Sequence, residues 1–510
     1  MKRAAAIAPI VCVLCLIALL FIPPIVCAAV DVLQHHLNGT RDGAYVDPLL
    51  TQKAAAAMHR DKSFAAALPG PVYAQPLYVS NGPGGKAALI VATEQNDVLA
   101  IDAVSGSYLW SKSVGAPVPN SQLPCGNIDT VGVTGTPAID PMTRTIYVAA
   151  MTTPDRGRTK QHKIFALSLD DGSTKVGWPV DVAGMKFGNQ TFNSSVQNQR
   201  GALLLQGGYL YVPYGGHFGD CGGYYGWIVA VPVTNPKSAS AWATGARGGG
   251  IWAPGGPATD GRSIFATTGN TFGAYSWMGG DAVVRLTGAA KFSGDAADYF
   301  TPSNWRQLDA GDVDLGGSGP VVLDVPGATP SQLVVALGKN GVAYLLDRNR
   351  LGGMGKGNGI DREGVASKRV ANSTIINAAA AYTTATGSFV VFETNGNGVG
   401  CPGRAGNLVA LKIGASVPPT INVAWCANNM GEGSPMVTTT DGKSEPIVWS
   451  VGAESSNRLH AFNGETGEVL FAGGGKDEQM TNIQHMQTPI AVNGRIFVTA
   501  DDRLYAFTAR

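Results

Sequence analysis

An apolar strand, a turn and a second apolar strand recur eight times along this chain, and that recurrence restricts the fold more than any other feature. The first copy reads IVATEQNDVLAIDAVSGSYLW from Ile90, and the last reads IFVTADDRLYAFTA from Ile496. Between them come units starting at Ile146, Tyr209, Ile264, Leu333, Phe389 and Ile447. The second strands centre near 101, 166, 230, 283, 345, 410, 461 and 506, a mean spacing of about 58 residues. Pre-strands such as GTPAID at Gly135, GGPATD at Gly255, SGPVVLD at Ser318 and TPIAV at Thr488 extend several units to three or four strands. The 68 glycines and 30 prolines supply the turns this requires. The expectation is an all-β chain, an eight-bladed β-propeller. The last unit ends without room for an outer strand, so Lys62–Ala67 is expected to pair with it and close the ring. Helix signals are few, the clearest being the Ala-rich stretch 50–58, and the Gly-rich stretch 352–359 reads as a loop.

Lys2 and Arg3 precede an uncharged apolar run, Ala4 to Ile22, followed by Pro23-Pro24 and the small residues around Ala28. That is the pattern of a secretory signal peptide, with an uncleaved anchor as its alternative. The resulting division is 1–29 signal, 30–61 N-terminal extension and 62–510 propeller. The expected location is periplasmic or secreted, with no membrane span in the mature chain. Lys+Arg number 37 against 36 Asp+Glu, so no net field recruits nucleic acid. Four cysteines lie beyond the signal, and an even count in an exported chain suggests two disulfides among three connectivities. Their placement in the repeats favours Cys125–Cys221 and Cys401–Cys426, with four buried thiols as the alternative. No C-x-x-C-H run is present, so no c-type haem is expected.

The repeats resemble those of the pyrroloquinoline quinone (PQQ) β-propellers, the quinoprotein alcohol dehydrogenase-like superfamily. The form A-x-D-x-x-[ST]-G-x-x-x-W is met from Ala100 to Trp110, and a looser copy runs from Ala461 to Gly467. The resemblance implies that each such Trp docks on a neighbouring blade. It also implies a central site. Trp252 in GIWAPGG resembles the Trp on which PQQ stacks, and Asn270 in TTGN resembles the amide ligand of its metal. Asp312 in DAGDVDLGGSGP resembles the catalytic base, with Asp314 its rival, and Lys339 in GKNGVAYLLDR resembles the basic residue beside the quinone oxygens. No Glu occurs between Glu94 and Glu363, so Asp220 in HFGDCGGYYGW takes the place of the family's carboxylate metal ligand. His217 is a neighbouring polar candidate, and Arg247 and Arg200 are candidates for the PQQ carboxylates.

Each residue type suits the role the resemblance implies. A hard ion such as Ca²⁺ prefers oxygen, which Asn270 and Asp220 carry. An ammonium at Lys339 favours charge developing on a quinone oxygen, an indole offers a stacking face, and a carboxylate at Asp312 takes a hydroxyl proton. Each also has a structural alternative: a Trp wedged between blades, an Asn tolerant of left-handed turns, a turn-capping Asp, and the hairpin signature Lys339-Asn340-Gly341. Two functions follow. One is PQQ-dependent oxidation of an alcohol or sugar hydroxyl, with electrons passed to a separate acceptor. The other is a non-catalytic propeller that binds partners or scaffolds assembly.

Overall fold

Alternating apolar residues and frequent turns produce short antiparallel strands that cannot bury both faces alone, so the sheets must stack. A computed structural model describes residues 30–509, so the segment read as a signal lies outside the described residues. Eight sheets follow one another in sequence, spanning 77–113, 138–181, 197–243, 258–301, 321–369, 380–427, 436–471 and 490–508. These are blades 1 to 8 of a β-propeller. Every second strand anticipated from the repeats falls inside an observed one, from Asp97–Asp102 to Arg503–Thr508. The pre-strands are present too, as Ala138–Asp140, Ala258–Thr259, Val321–Asp324 and Ile490–Val492.

Blade 8 is completed by the N-terminal segment. His59–Arg60 pairs antiparallel with Thr508 and Phe507, and Ala66–Ala67 pairs with Leu504 and Arg503. Ala66–Ala67 is the end of the expected Lys62–Ala67 strand, and His59–Arg60 lies just before it. Lys62 turns outward instead, to an exposed ion pair with Asp477. A second N-terminal strand, Ala44–Val46, adds in parallel to Met436–Thr439 of blade 7, which the repeat pattern gave no reason to expect.

Between these strands and residue 32 the chain forms a strap that hydrogen-bonds to all eight blades in order. Val32 pairs with Tyr78, Leu33 O accepts from Ile139 N, and Gln34 Oε1 accepts from Leu205 N. Gly39 O, Thr40 O, Asp42 O and Gly43 O then accept from the backbone of Thr259, Val322, Ala381 and Val437. Asp47 Oδ2 accepts from Gly494 N in blade 8. Arg41, 1% exposed, points all three guanidinium nitrogens at backbone carbonyls of Pro257, His35 and Leu203, at 2.8–2.9 Å.

Blade-to-blade packing uses the repeat tryptophans. Trp110 Nε1 donates to Leu169 O of blade 2 at 2.9 Å, and Trp425 Nε1 donates to Gly464 O of blade 7 at 2.8 Å. Both favoured disulfides, Cys125–Cys221 and Cys401–Cys426, are formed. The Ala-rich stretch gives a shorter helix than expected, Gln52–Ala56, started by Thr51 Oγ1 accepting from Ala54 N. A second helix, Trp305–Gly311, carried no periodicity long enough to announce it. Among the described residues no helix is long and apolar enough to cross a membrane.

Candidate functional site

Trp252, Asn270, Asp312, Lys339 and Asp220, separated by up to 119 residues in sequence, line one cavity of about 450 Å³. Asp220, Asn270 and Lys339 reach it from loops within blades 3, 4 and 5, and Trp252 and Asp312 from the segments that follow blades 3 and 4. Trp252 follows the turn Gly248–Gly250, where Gly248 (φ 88°) lies so near Asn270 that a Cβ would come 2.5 Å from its carbonyl oxygen. That close approach brings the Trp252 and Asn270 segments side by side. The indole lies among glycines. A Cβ on Gly215, Gly269 or Gly317 would stand 3.3 Å from an atom of Trp252. No side chain grows from these positions, so a flat aromatic surface remains.

Asp312 caps the helix Trp305–Gly311 in a left-handed conformation, φ 50°. The same helix carries Asp309, which accepts from Thr271 N at 2.6 Å and Thr271 Oγ1 at 2.8 Å. One seven-residue helix therefore places Asp312 and fixes the residue that follows Asn270. Lys339, on the turn between two strands of blade 5, sits between two carboxylates. Its Nζ is 2.9 Å from Asp312 Oδ1, 3.0 Å from Asp314 Oδ2 and 5.0 Å from the Trp252 ring centroid. Asp312 and Asp314 differ sharply in setting: their side chains are 63% and 1% exposed. Burial raises the Asp314 carboxyl above its ordinary range, against the pull of Lys339. Lys339 itself is raised, because its two carboxylate partners outweigh its burial. Behind them Asp281 is held well above the ordinary range by burial and by its hydrogen bond with Asp309.

Asn270 is buried, and its amide makes no hydrogen bond to a described residue. Asp220 has φ 56° and accepts from Tyr224 Oη. Next to it, the Cys125–Cys221 bridge ties this loop to the segment before blade 2. His217 lines the same cavity with Nε2 buried and unpartnered, and burial lowers its pKa to about 4. Arg200 lines it as well, making one hydrogen bond, to Asn127 Oδ1 at 3.2 Å. Arg247 is not among the lining residues. Its guanidinium donates to Gly222 O and Asp220 O and lies over Phe272, so it braces the Asp220 loop.

Blades 6 to 8 contribute a part of the lining that no motif foretold: Asn395, Glu432, Glu454 and His485. These residues stand alone in inter-strand loops, without the neighbouring pattern that marked TTGN or GKNG.

The chain is thus a propeller of eight sequential blades with a cavity in which a Trp stands beside a Lys–Asp cluster. No family model matches the chain, and no curated protein matches it in sequence. Solved structures do match. A quinohemoprotein alcohol dehydrogenase from Comamonas testosteroni aligns with TM-score 0.62 at 14% identity, over 94% of this chain and 80% of that one. A quinohemoprotein alcohol dehydrogenase from Pseudomonas putida gives 0.61 at 12%, with the same coverages. A europium-containing methanol dehydrogenase gives 0.61 at 14%, over 94% of this chain and 98% of that one. At these identities the likeness establishes the fold.

Proposed function

We propose that this chain is an exported quinoprotein that oxidises an alcohol or sugar hydroxyl, using PQQ and a divalent ion such as Ca²⁺. The observation that carries the reading is the meeting of Trp252, Asn270, Asp312 and Lys339 in one cavity. Three features suit the cofactor. The glycine-backed indole of Trp252 offers a bare face for a planar ring system. Among the described residues Arg200 makes no ion pair, although Glu94 and Glu454 lie near enough to interact with its charge, so its guanidinium can still meet a cofactor carboxylate. The Asn270 amide is free for an ion. Among the described residues no three His, Cys, Asp or Glu side chains converge as a metal site. Asn270 and Asp220 would therefore hold the ion together with oxygens of the cofactor.

Bound there, an ortho-quinone supplies a two-electron acceptor for hydride. The chain's own residues bind, orient and charge the site. Trp252 supports the ring, Lys339 sets a positive charge beside it, and Asp312 and Asp314 hold that ammonium in place. Asp312 is the more exposed of the two carboxylates, at 63% against 1% for Asp314. The disulfides support export, since such bonds persist in oxidising compartments.

Titration calorimetry with PQQ and Ca²⁺, paired with the absorption of the bound quinone, tests the reading. Binding at micromolar concentration, weakened by Asn270→Ala, is the expected result. No binding of either at high micromolar concentration overturns it and leaves a partner-binding propeller.

A further inference from the structure

The chain has seven histidines, and two of them, His217 and His485, line the cavity. Only His485 is coupled to a carboxylate. Its Nδ1 lies 2.5 Å from Glu454 Oε1, and its backbone N donates to the same oxygen at 3.3 Å. Glu454 comes from the turn after Ile447–Val451 of blade 7, with φ 55° and its own N–H bonded to Ile483 O. The edge of Tyr73 packs against the imidazole, ring centroids 5.2 Å apart. The ring is thus held by a carboxylate, by its own backbone and by an aromatic edge. Its Nε2 makes no hydrogen bond to a described residue.

An imidazole whose Nδ1 proton faces a carboxylate presents Nε2 as a lone pair, and an imidazolium formed there is stabilised by the same carboxylate. The His485 hydrogen bond holds the Glu454 carboxyl below its usual range, so the partner stays charged. The carboxylates beside the Trp252 floor are engaged differently. Asp312 and Asp314 both accept from Lys339, within 3.0 Å.

We propose that His485 is a catalytic residue, accepting the proton of the substrate hydroxyl at Nε2, and that Glu454 is its positioning residue. This rests on the quinoprotein reading above. The O–H bond breaks and its proton goes to Nε2. The C–H electron pair would leave as hydride to the quinone-class acceptor that the reading above invokes, giving the carbonyl product. The proton then leaves His485 for solvent through the open cavity.

Two measurements on the full chain test this. The first needs no turnover. In ¹⁵N-histidine spectra of the protein without cofactor, glycerol should shift the His485 Nε2 resonance, assigned by its loss in His485→Asn. The second uses PQQ-loaded protein. His485→Ala should lower kcat by ~10²–10³-fold with PQQ affinity unchanged, and added imidazole should restore part of it. Glu454→Gln should lower kcat with little change in KM, and Glu454→Asp should recover part of the loss. Full turnover in His485→Ala, with loss confined to Asp312→Asn, overturns the assignment. If PQQ does not bind, the quinoprotein reading falls, and the glycerol-induced shift alone decides: present, the dyad is a hydroxyl-accepting site; absent, the proposal is wrong.

Discussion

Lys339 Nζ lies 3.0 Å from Asp314 Oδ2, and the two side chains are 15% and 1% exposed. Removing one member of such a pair leaves a buried charge without its partner, a loss on the order of 3–5 kcal/mol. Lys339→Met should therefore destabilise the protein strongly in urea denaturation. Asp312→Asn should cost less than about 1 kcal/mol, because the Asp312 side chain is 63% exposed and its ion pair is solvent-screened. Equal losses in the two variants would show that Asp314 does not depend on Lys339.

What the sequence made legible follows from how local each signal is. Blade count, second strands and pre-strands are written in alternation over five to eight residues, and all appeared at the expected places. Asn270 and Lys339 sit in turns next to strands and Trp252 in the short link between blades 3 and 4, so their motifs are contiguous. The strap was hidden because residues 32–47 follow no period of their own; their contacts are to backbone atoms of eight separate blades. Glu454 and His485 were hidden for a related reason. They lie 31 residues apart in irregular loops and meet only when blades 7 and 8 pack. Arg247 shows the opposite failure. Its type and position suggested a ligand contact, but its guanidinium is taken up by carbonyls of the Asp220 loop.

The Cys125–Cys221 bridge joins positions 96 residues apart and ends beside Asp220. Disulfides typically stabilise by about 2–4 kcal/mol, in large part by restricting the unfolded chain. The double variant Cys125→Ser/Cys221→Ser should lose about that much. Its residues 216–224 should also exchange amide hydrogens faster than those of blade 6. Unchanged exchange there would mean that Arg247 and Tyr224 hold the loop without the bridge.

His36 is buried, and burial lowers its pKa to about 4, against an ordinary value near 6.5. The unfolded chain therefore binds a proton that the folded one refuses between those values. The stability associated with a neutral His36 is complete above about pH 6.5 and falls as pH drops toward 4, by about 3 kcal/mol in all. Other groups titrate in the same range, including Glu94, whose pKa burial raises to about 7 and whose effect has the opposite sign. Comparison with His36→Gln cancels them. The difference in unfolding free energy, wild type minus variant, should shrink by about 3 kcal/mol between pH 7 and pH 4. A pH-independent difference would place a charged imidazole in the folded strap.

Arg41 is a buried cation with no carboxylate partner among the described residues, satisfied by carbonyls of Leu203 in blade 3, Pro257 just before blade 4 and His35 in the strap itself. Burial lowers its pKa to about 9, so it stays charged at neutral pH. The fork of donors is what meets three separate acceptors, and an ammonium on a lysine stem cannot reproduce it. Arg41→Lys should leave at least one of these carbonyls unsatisfied, at a cost on the order of 1–3 kcal/mol. Arg41→Met removes the charge and all three donors, so its loss should be larger. The strap touches every blade, so the damage should spread. Thermal unfolding followed by circular dichroism should show a lower midpoint for both variants. Limited proteolysis should open the chain first between residues 30 and 60, where the closing strands for blades 7 and 8 also lie. If cleavage instead begins in the outer loops at the wild-type rate, the strap is a passenger on a ring that closes without it.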